Sequence, residues 1–392
     1  MKEVFILSAV RTPIGKYGGV FSSIKAKELG IIAAAESIMK AGLTPDSVDE
    51  AIFGCARQAG IGPNISRQIA VGVGIPSQKT AYTINKACGS GLKSIINAYT
   101  SIVLGDNDVV LAGGVESMSN IPYLLTQARW GYRMGNSEIL DANHTDGYFC
   151  PMADKLMGAT VEDLALKYNI TRDEQDAFAL QSQLKAESAI KTGKFNNEII
   201  PVKVATKKGD QIITTDEHPR IGATIEDFKK LKPVFKKDGT ITAGSSSGVT
   251  DGASALIIAG KEFVQNNNLK PLARIIGYAS AGVNPSEMGI APVPAVQKLL
   301  KKSNLRLQDI DLIELNEAFA AQALACDREL HFDKDKVNVH GGAIALGHPT
   351  GCTGARITTT LVHSLHDRKA KLGIATLCIS GGLGLALLIE KV

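Results

Sequence analysis

The chain has 392 residues, 44% of them hydrophobic and 21% charged, and its 43 basic and 39 acidic residues give a formal net charge of +4. We expect a soluble globular protein that binds neither membranes nor nucleic acid, because no segment approaches the about 18 uninterrupted apolar residues of a membrane span and the basic residues form no blocks. The length exceeds the about 100 to 150 residues typical of one domain, so two or three units are predicted.

The first 118 residues alternate strand-like and helix-like segments. EVFILSAV, VDEAIFG, KTAYTIN and DVVLAGG read as strands, and LGIIAAAESIMKAG reads as a helix. Glu3, Arg11 and Pro13 interrupt the apolar start of the chain, which therefore favours a first strand over a signal peptide. Apolar residues at 92–103 follow one helix face, and Gly105 closes that helix. The alternation predicts an α/β layered fold with a largely parallel sheet.

A repeat at large spacing links the two ends of the chain. GLTPDSVDEAIFG, from residue 42, and NLRLQDIDLIELN, from residue 304, share a leucine, an apolar residue followed by aspartate, and a strand-like end, at a displacement of 262 residues. The same displacement carries Cys88 to Thr350, and both lie in glycine-rich turns before a helix-like segment and an apolar strand. This order indicates that the chain contains two halves related by duplication.

Residues 119–249 differ from these halves in composition and in the pattern of predicted elements. TRDEQDAFALQSQLKAESAIKTG predicts one exposed helix with a capping box formed by Thr171 and Glu174. Segments rich in lysine, glycine and aspartate follow, with apolar anchors such as Phe228. We predict three units: an N-terminal half at 1–118 with 250–270, an inserted loop domain at 119–249, and a C-terminal half at 271–392.

Six cysteines lie far apart without a Cys-x-x-Cys pair, which favours free thiols in the reducing cytoplasm over disulfides. Cys88 stands out because it lies among small residues in NKACGSG, where the predicted strand turns into a helix. The N–H groups and dipole of a helix N-terminus lower the pKa of a thiol, so Cys88 is a candidate nucleophile. The alternative is a packed cysteine, because free cysteine is among the most buried residue types.

Three more polar residues occupy turns or strand ends. His348 lies in GGAIALGHPTGCTGAR, whose glycines cannot cover an imidazole, so it is a candidate base for a cysteine nucleophile. Cys378 ends a strand in LCISGGLG, where it is either a second reactive thiol or a packed one. Asn316, in ELNEAFA, either orients a water or a carbonyl or caps the next helix.

Other site types have weaker support. No phosphate loop of the type G-x-x-x-x-G-K-[ST] occurs, and the glycines near residue 347 do not match G-x-G-x-x-G. A zinc site formed by Cys88, Cys378 and His348 is disfavoured because these residues lack paired-ligand spacing. Nucleotide hydrolysis and dinucleotide binding are therefore disfavoured as well.

Five segments together resemble the thiolase family, in its acetyl-CoA acetyltransferase branch. They are NKACGSGLKS, GGVESMS, NEAFAAQ, GGAIALGHPTG and CISGG, in the family's order and at similar intervals over essentially the whole chain. The resemblance implies an acyltransferase with a duplicated α/β fold, five layers in the order αβαβα, and a loop domain over the active site.

The resemblance also implies roles for individual residues. Cys88 would accept the acyl group, His348 would activate it, and Cys378 would take a proton from the methyl group of a second thioester. Asn316 would hold a water that binds the enolate oxygen together with His348. Backbone N–H groups of Cys88 and Ser380 would form the second oxyanion hole. Serine replaces the family's usual glycine at position 380 and would be strained if φ there is positive.

The expected partners are acyl-CoA substrates, with no metal or redox cofactor. By the resemblance, Arg220 would lie on the adenine of coenzyme A, and the chain would form a homotetramer, a dimer of dimers, with residues 122–136 as a contact loop. Contacts to coenzyme A and the acyl group are predicted for Met157, Arg220, Phe235, Ala243, Ser247, Ala318 and Phe319.

The leading interpretation is the reversible Claisen condensation of two acetyl-CoA to acetoacetyl-CoA and CoA through an acyl-Cys88 intermediate. One alternative is a degradative 3-ketoacyl-CoA thiolase for longer chains, because Leu156 stands where many short-chain relatives carry histidine. An alternative of another class is a non-catalytic, thiolase-like protein that binds acyl-CoA or lipid.

Overall fold

The computed structural model describes residues 2–207 and 209–392. Its strands, in chain order, are β1 (Val4–Arg11), β2 (Gly15–Lys16), β3 (Glu50–Gly54), β4 (Thr80–Ile84), β5 (Val109–Ser117), β6 (Tyr123–Leu124), β7 (Leu140–Asp141), β8 (Phe149–Cys150), β9 (Lys155–Leu156), β10 (Val202–Thr206), β11 (Gly209–Ile213), β12 (Thr250–Gly260), β13 (Ala273–Gly282), β14 (Leu312–Leu315), β15 (Leu372–Ile379) and β16 (Leu383–Lys391).

The helices alternate with these strands at both ends of the chain. They are α1 (Ala26–Lys40), α2 (Ile65–Gly72), α3 (Ser90–Leu104), α4 (Met157–Lys167), α5 (Arg172–Lys191), α6 (Ile225–Lys229), α7 (Lys261–Asn266), α8 (Pro292–Ser303), α9 (Ala320–Leu330), α10 (Ala343–Leu346) and α11 (Thr350–Asp367). None of the helices within the described residues is long and apolar enough to cross a membrane.

A ten-stranded sheet runs in the order β14, β15, β16, β13, β1, β12, β5, β3, β4, with β2 beside β12. β3 is parallel to β4 and β5, and β14 is parallel to β15, because helices connect these strands. The pairs β1/β12, β5/β12, β13/β16 and β15/β16 are antiparallel. The prediction of a largely parallel sheet is therefore wrong, since β12 returns from the insertion and β16 follows β15 through a tight turn.

The two halves of the sheet meet where β1 pairs with β13, and helices lie in three layers around them. α1 and α2 cover the outer face of the N-terminal half, α3 and α11 pack between the halves, and α8 and α9 cover the outer face of the C-terminal half. The side chains of β1 pack into two hydrophobic cores on opposite faces of the sheet: Leu7 and Val10 face the outer helices, and Ile6 and Ala9 face the central helices. The predicted αβαβα order is confirmed.

The central helices begin at equivalent turns of the two halves. α3 ends at Gly105, as predicted, with φ +89°. α11 is buried along most of its length although it is rich in threonine. Its threonine hydroxyls have hydrogen-bond partners; for example, Thr358 donates to the carbonyl of Gly354 at 2.8 Å. The helix therefore lies between the two halves of the sheet with its threonine hydroxyls satisfied, whereas the hydroxyl of Ser364 is buried without a partner among the described residues.

Replacing Gly354 with alanine is expected to lower the free energy of unfolding by at least about 2 kcal/mol, because α3 and α11 touch there without room for a side chain. A Cβ at 354 would lie 2.1 Å from the backbone nitrogen of Leu92. Urea unfolding measures the change. Gly277→Ala is the control, because its Cβ would meet no atom closer than 3.9 Å, and equal effects of the two changes would contradict this packing.

Helix α5 differs from the sequence prediction. The capping box of Thr171 and Glu174 is present, but one face of the helix is buried instead of exposed. That face combines alanines with polar residues. Ser182 donates to a carboxylate oxygen of Glu317 at 2.6 Å, and Gln183 donates to the Ile344 carbonyl. Because much of the face is polar, the hydrophobic pattern did not reveal it. The predicted boundaries of the three units stay predictions.

Candidate active site

A cavity of about 250 Å³ lies where the insertion, residues 119–249, meets both halves of the fold. Cys88, His348 and Cys378 all line it, although they are far apart in the chain. Five of the residues predicted to contact substrate also form its walls: Met157, Phe235, Ser247, Ala318 and Phe319. The structure therefore brings the two thiols and the imidazole together at one cavity.

The turn that carries Cys88 has a constrained backbone. Ala87 has a positive φ of +44°, a region that residues with a side chain rarely adopt. The hydroxyl of Ser90 holds the turn by donating to the Ala87 carbonyl at 2.7 Å and by accepting from the Lys86 N–H at 2.9 Å. α3 begins at Ser90, so Cys88 lies two residues before the helix. Cys88 forms part of the cavity wall.

The prediction of a lowered pKa for Cys88 is wrong. Burial raises the pKa of this thiol, which is 9% exposed. The charge of Arg57 and hydrogen bonds from the backbone N–H groups of Ser380 and of Cys88 itself oppose that rise without reversing it. Desolvation exceeds the helix-terminus effect because the thiolate would lose its water. The free thiol therefore needs a base to remove its proton.

His348 has the tautomer that such a base requires. Its Nδ1 lies 2.6 Å from the hydroxyl of Thr353, and that hydroxyl lies 3.0 Å from the carbonyl of Pro349. A carbonyl only accepts, so the Thr353 hydroxyl donates to Pro349 and Nδ1 of His348 must carry the hydrogen. Nε2 is left with a lone pair, and it is buried without a partner among the described residues. Proton acceptance is therefore assigned to Nε2.

The stability of the protein should depend on pH through His348. Burial, helped by the charges of Arg356 and Arg57, lowers its pKa from 6.5 to about 3. Above pH 6.5 neither the folded nor the unfolded state binds a proton at His348. Between pH 6.5 and pH 3 only the unfolded chain binds it, so the free energy of unfolding decreases as the pH is lowered, by about 2 kcal/mol at pH 5. Urea unfolding at pH 7 and pH 5 measures this loss. The pH dependence should be smaller by that amount in His348→Asn, and an unchanged dependence would contradict the assignment.

Cys378 ends β15 and is 1% exposed. Burial raises its pKa well above the usual range, and the nearby Cys88 raises it further. The following turn takes its positive φ at Gly381 (+86°) and Gly382 (+81°), not at Ser380. Ser380 therefore lacks the backbone strain that a positive φ would cause. The N–H of Ser380 points to the Cys88 sulfur.

Besides Ser380, three predicted residues lie outside the cavity wall. Asn316 is buried at the end of β14, where its N–H donates to the Thr376 carbonyl at 2.9 Å, and its amide atoms have no partner among the described residues. It does not cap α9, which begins at Ala320. Arg220 and Ala243 are exposed. The roles predicted for these residues stay predictions.

Sequence reasoning missed two residues beside the cavity. Glu116 is buried and accepts hydrogen bonds from the N–H groups of Ala56, Arg57 and Gly351, from the Thr350 hydroxyl and from the Cys55 thiol. It ties the loop after β3 to the start of α11. Arg57 lines the cavity itself. The signal for Glu116 was a carboxylate at the end of a fully apolar strand, in GGVES, and for Arg57 a charge among small residues in GCARQAG.

The duplicated layered fold, with two thiols and a neutral imidazole at one cavity, defines an acyltransferase that works through thiol chemistry. A family model of the N-terminal domain of thiolase matches residues 4–262, and one of the C-terminal domain matches residues 269–391. The chain belongs to the thiolase family.

Individual relatives cover the whole chain. An acetyl-CoA acetyltransferase of Syntrophomonas wolfei subsp. wolfei is 48% identical over 393 residues, which are 99% of each chain. The crystal structure of the Bacillus anthracis acetyl-CoA acetyltransferase has a TM-score of 0.98 at 45% identity and covers 100% of this chain and 99% of its own. Human mitochondrial 3-ketoacyl-CoA thiolase has a TM-score of 0.97, also at 45% identity and with the same coverage.

Proposed function

We propose that the protein is an acetyl-CoA C-acetyltransferase, which condenses two acetyl-CoA to acetoacetyl-CoA and CoA and catalyses the reverse thiolysis. The observation that carries the proposal is the cavity that Cys88, Cys378 and the unpartnered Nε2 of His348 share. The names of the Syntrophomonas and Bacillus relatives support acetyl-CoA as the substrate.

In the first half-reaction, Nε2 of His348 takes the proton of Cys88, and the thiolate attacks the thioester carbonyl of acetyl-CoA. The C–S bond of the substrate breaks, and CoA leaves with the proton of Cys378. An acetyl group then stays on Cys88, the proton of Cys88 stays on Nε2 of His348, and Cys378 is a thiolate. The backbone N–H groups of Cys88 and Ser380 would stabilise the oxyanion, which supplies the charge stabilisation that this step needs.

In the second half-reaction, the Cys378 thiolate removes a proton from the methyl group of another acetyl-CoA. The N–H that Nε2 of His348 now carries, and a water held by the buried amide of Asn316, would stabilise the enolate oxygen. The carbanion attacks the acetyl carbonyl on Cys88, the bond to sulfur breaks, and the Cys88 thiolate regains its proton from Nε2 of His348. This sequence uses thiols and an imidazole, and it calls for no metal or redox cofactor.

The coenzyme A arm would enter beside the insertion. Phe235 and Phe319 meet edge to face with ring centres 5.8 Å apart, and the N–H of Ser247 donates to the Ala318 carbonyl at 3.0 Å. All four residues line the cavity. We assign this part of the cavity to the pantetheine arm, with Ala243 farther out and Arg220 at the adenine.

The preference for short acyl groups is tested by the rate of thiolysis against the length of the 3-ketoacyl chain. We expect the largest kcat/KM with four carbons, because aromatic and methionine side chains enclose the cavity. A kcat/KM that rises with length would instead establish the degradative alternative, which the human relative and Leu156 favour. Absence of turnover with any chain would favour a non-catalytic acyl-CoA binder.

Assembly and location are further parts of the proposal. In the segment 122–136, Trp130 is 85% exposed and Met134 is 99% exposed, which supports its use as a contact loop in a homotetramer. The six cysteines are all free, which supports a reducing, cytoplasmic location.

A further inference from the structure

A buried arginine lines the cavity beside Cys88. Arg57 follows β3 by three residues and is 4% exposed. Its guanidinium lies over the ring of Tyr148, 5.4 Å from the ring centre. A Cβ on Gly147 would lie 2.3 Å from both Nε and Nη2 of Arg57, so the guanidinium rests against bare backbone. The turn that contains Gly147 and Tyr148 thus holds this cation in one place.

No anion of the protein pairs with this cation. Nε of Arg57 is buried without a partner, and within residues 2–207 and 209–392 the guanidinium forms no hydrogen bond or ion pair. The carboxylate of Glu116 contacts only the backbone N–H of Arg57 and is occupied by other donors. The Tyr148 hydroxyl donates to the sulfur of Met118 instead. The charge of Arg57 is therefore available to a ligand.

Two other buried arginines of the protein lie close to carboxylates. Arg11 binds Glu198 at 2.6 Å and Asp216 at 2.7 Å. Arg356 lies 3.6 Å from a carboxylate oxygen of Glu314, although its guanidinium forms no hydrogen bond within residues 2–207 and 209–392. Burying a charge is costly unless it is paired, and Arg57 differs from both of these arginines in lacking a carboxylate. An anion that completes the pair must enter through the cavity.

The reaction itself leaves room for such an anion. The Cys88 thiolate is present only until it is acylated, and the resulting thioester is neutral. The phosphates of coenzyme A are separated from the thioester by the length of the pantetheine arm. The remaining part of a substrate that can approach Arg57 is the end of the acyl chain on Cys88. Apart from Arg57, much of the wall is apolar, with Met157, Phe235, Met288 and Phe319.

We propose that Arg57 binds a carboxylate at the end of the acyl chain, so that the enzyme accepts 3-oxoacyl-CoA substrates with a carboxylate tail. This inference rests on the proposed thiolase reaction. The Cys88 thiolate attacks the C3 carbonyl, the C2–C3 bond breaks, and C2 keeps the electron pair and takes a proton from Cys378, which releases acetyl-CoA. The carboxylate-tailed acyl group stays on Cys88 beside Arg57 until the thiol of CoA accepts it and gives its proton to the Cys378 thiolate.

The test compares thiolysis of two six-carbon 3-oxoacyl-CoA substrates, one ending in a carboxylate and the other in a methyl group. For the wild type we expect kcat/KM to be about 10- to 100-fold higher with the carboxylate, as for a charge-assisted hydrogen bond. Arg57→Leu should remove this preference, and Arg57→Lys, which keeps the charge, should retain part of it. Thermal unfolding checks that both variants fold.

Acetoacetyl-CoA is assayed in parallel with the wild type to separate the two proposals. Turnover of acetoacetyl-CoA without a preference for the carboxylate substrate would overturn the role of Arg57 and leave the thiolase reaction standing. No turnover of any of the three substrates would refute the thiolase reaction itself. An equal loss on all three substrates in Arg57→Leu would mean that Arg57 serves the reaction at Cys88 and not the end of the acyl chain, and it would also overturn the inference.

Discussion

Replacing Cys88 with serine is expected to lower kcat for thiolysis of acetoacetyl-CoA by a factor of the order of 10⁴ or more. A hydroxyl is a far weaker acid than a thiol, and at this buried position His348 would have to remove its proton without water to stabilise the alkoxide. Steady-state kinetics with saturating CoA measures the loss.

The matched control is Cys150→Ser, since Cys150 is also a buried free cysteine but does not line the cavity. It should keep kcat within a few-fold of the wild type. If the two serine variants were equally active, Cys88 would not be the acyl acceptor, and the proposed covalent route would be wrong.

Replacing Cys378 with alanine is expected to reduce condensation and thiolysis by about 10²- to 10⁴-fold, the usual contribution of a general acid or base. The physical reason is that no other acidic or basic side chain named in the mechanism is free to move the proton at C2. Cys88 should still react with iodoacetamide in this variant, because its own base, His348, is unchanged.

Cys326→Ala provides the control for Cys378. Cys326 is a buried thiol near Cys378, but it lies outside the cavity and contacts the Gly289 carbonyl instead. Near-normal turnover is expected for it. A Cys378→Ala enzyme that condensed acetyl-CoA at the wild-type rate would remove Cys378 from the mechanism.

The two thiols and the imidazole share one physical cause for their behaviour. Burial disfavours every charged form, so it raises the pKa of Cys88 and Cys378 and lowers that of His348 to about 3. At neutral pH the free site therefore holds two neutral thiols and a neutral base. Charge arises on the reacting groups only when a substrate is present, and the backbone N–H groups near Cys88 are positioned to meet it.

Much of the site was predictable because its residues stand in unusual local sequence. Cys88 and His348 lie among glycines and other small residues, a pattern that a packed core does not need, and Cys378 ends an apolar strand before a glycine turn. The duplication also followed from the sequence, because equivalent strands and turns recur at one displacement. The resemblance to thiolases then assigned roles that local pattern alone left open.

What was not predictable depends on tertiary contacts. The pKa of Cys88 is governed by the protein that covers it, not by the helix that follows it. The buried face of α5 mixes alanines with polar residues, so no strong hydrophobic period marks it. Arg57 reads as one more charged loop residue until the fold places it against Gly147 and Tyr148. Strand directions in the sheet likewise follow from where β12 and β16 return, which composition does not show.

The acetyl-Cys88 intermediate is tested by the mass of the peptide that contains Cys88 after the enzyme has been mixed with acetyl-CoA alone and quenched in acid. We expect one added acetyl group on Cys88 of the wild type, which is removed when CoA is added before the quench. An acetyl group found on another residue, or an unmodified Cys88 in an enzyme that still turns over, would contradict it.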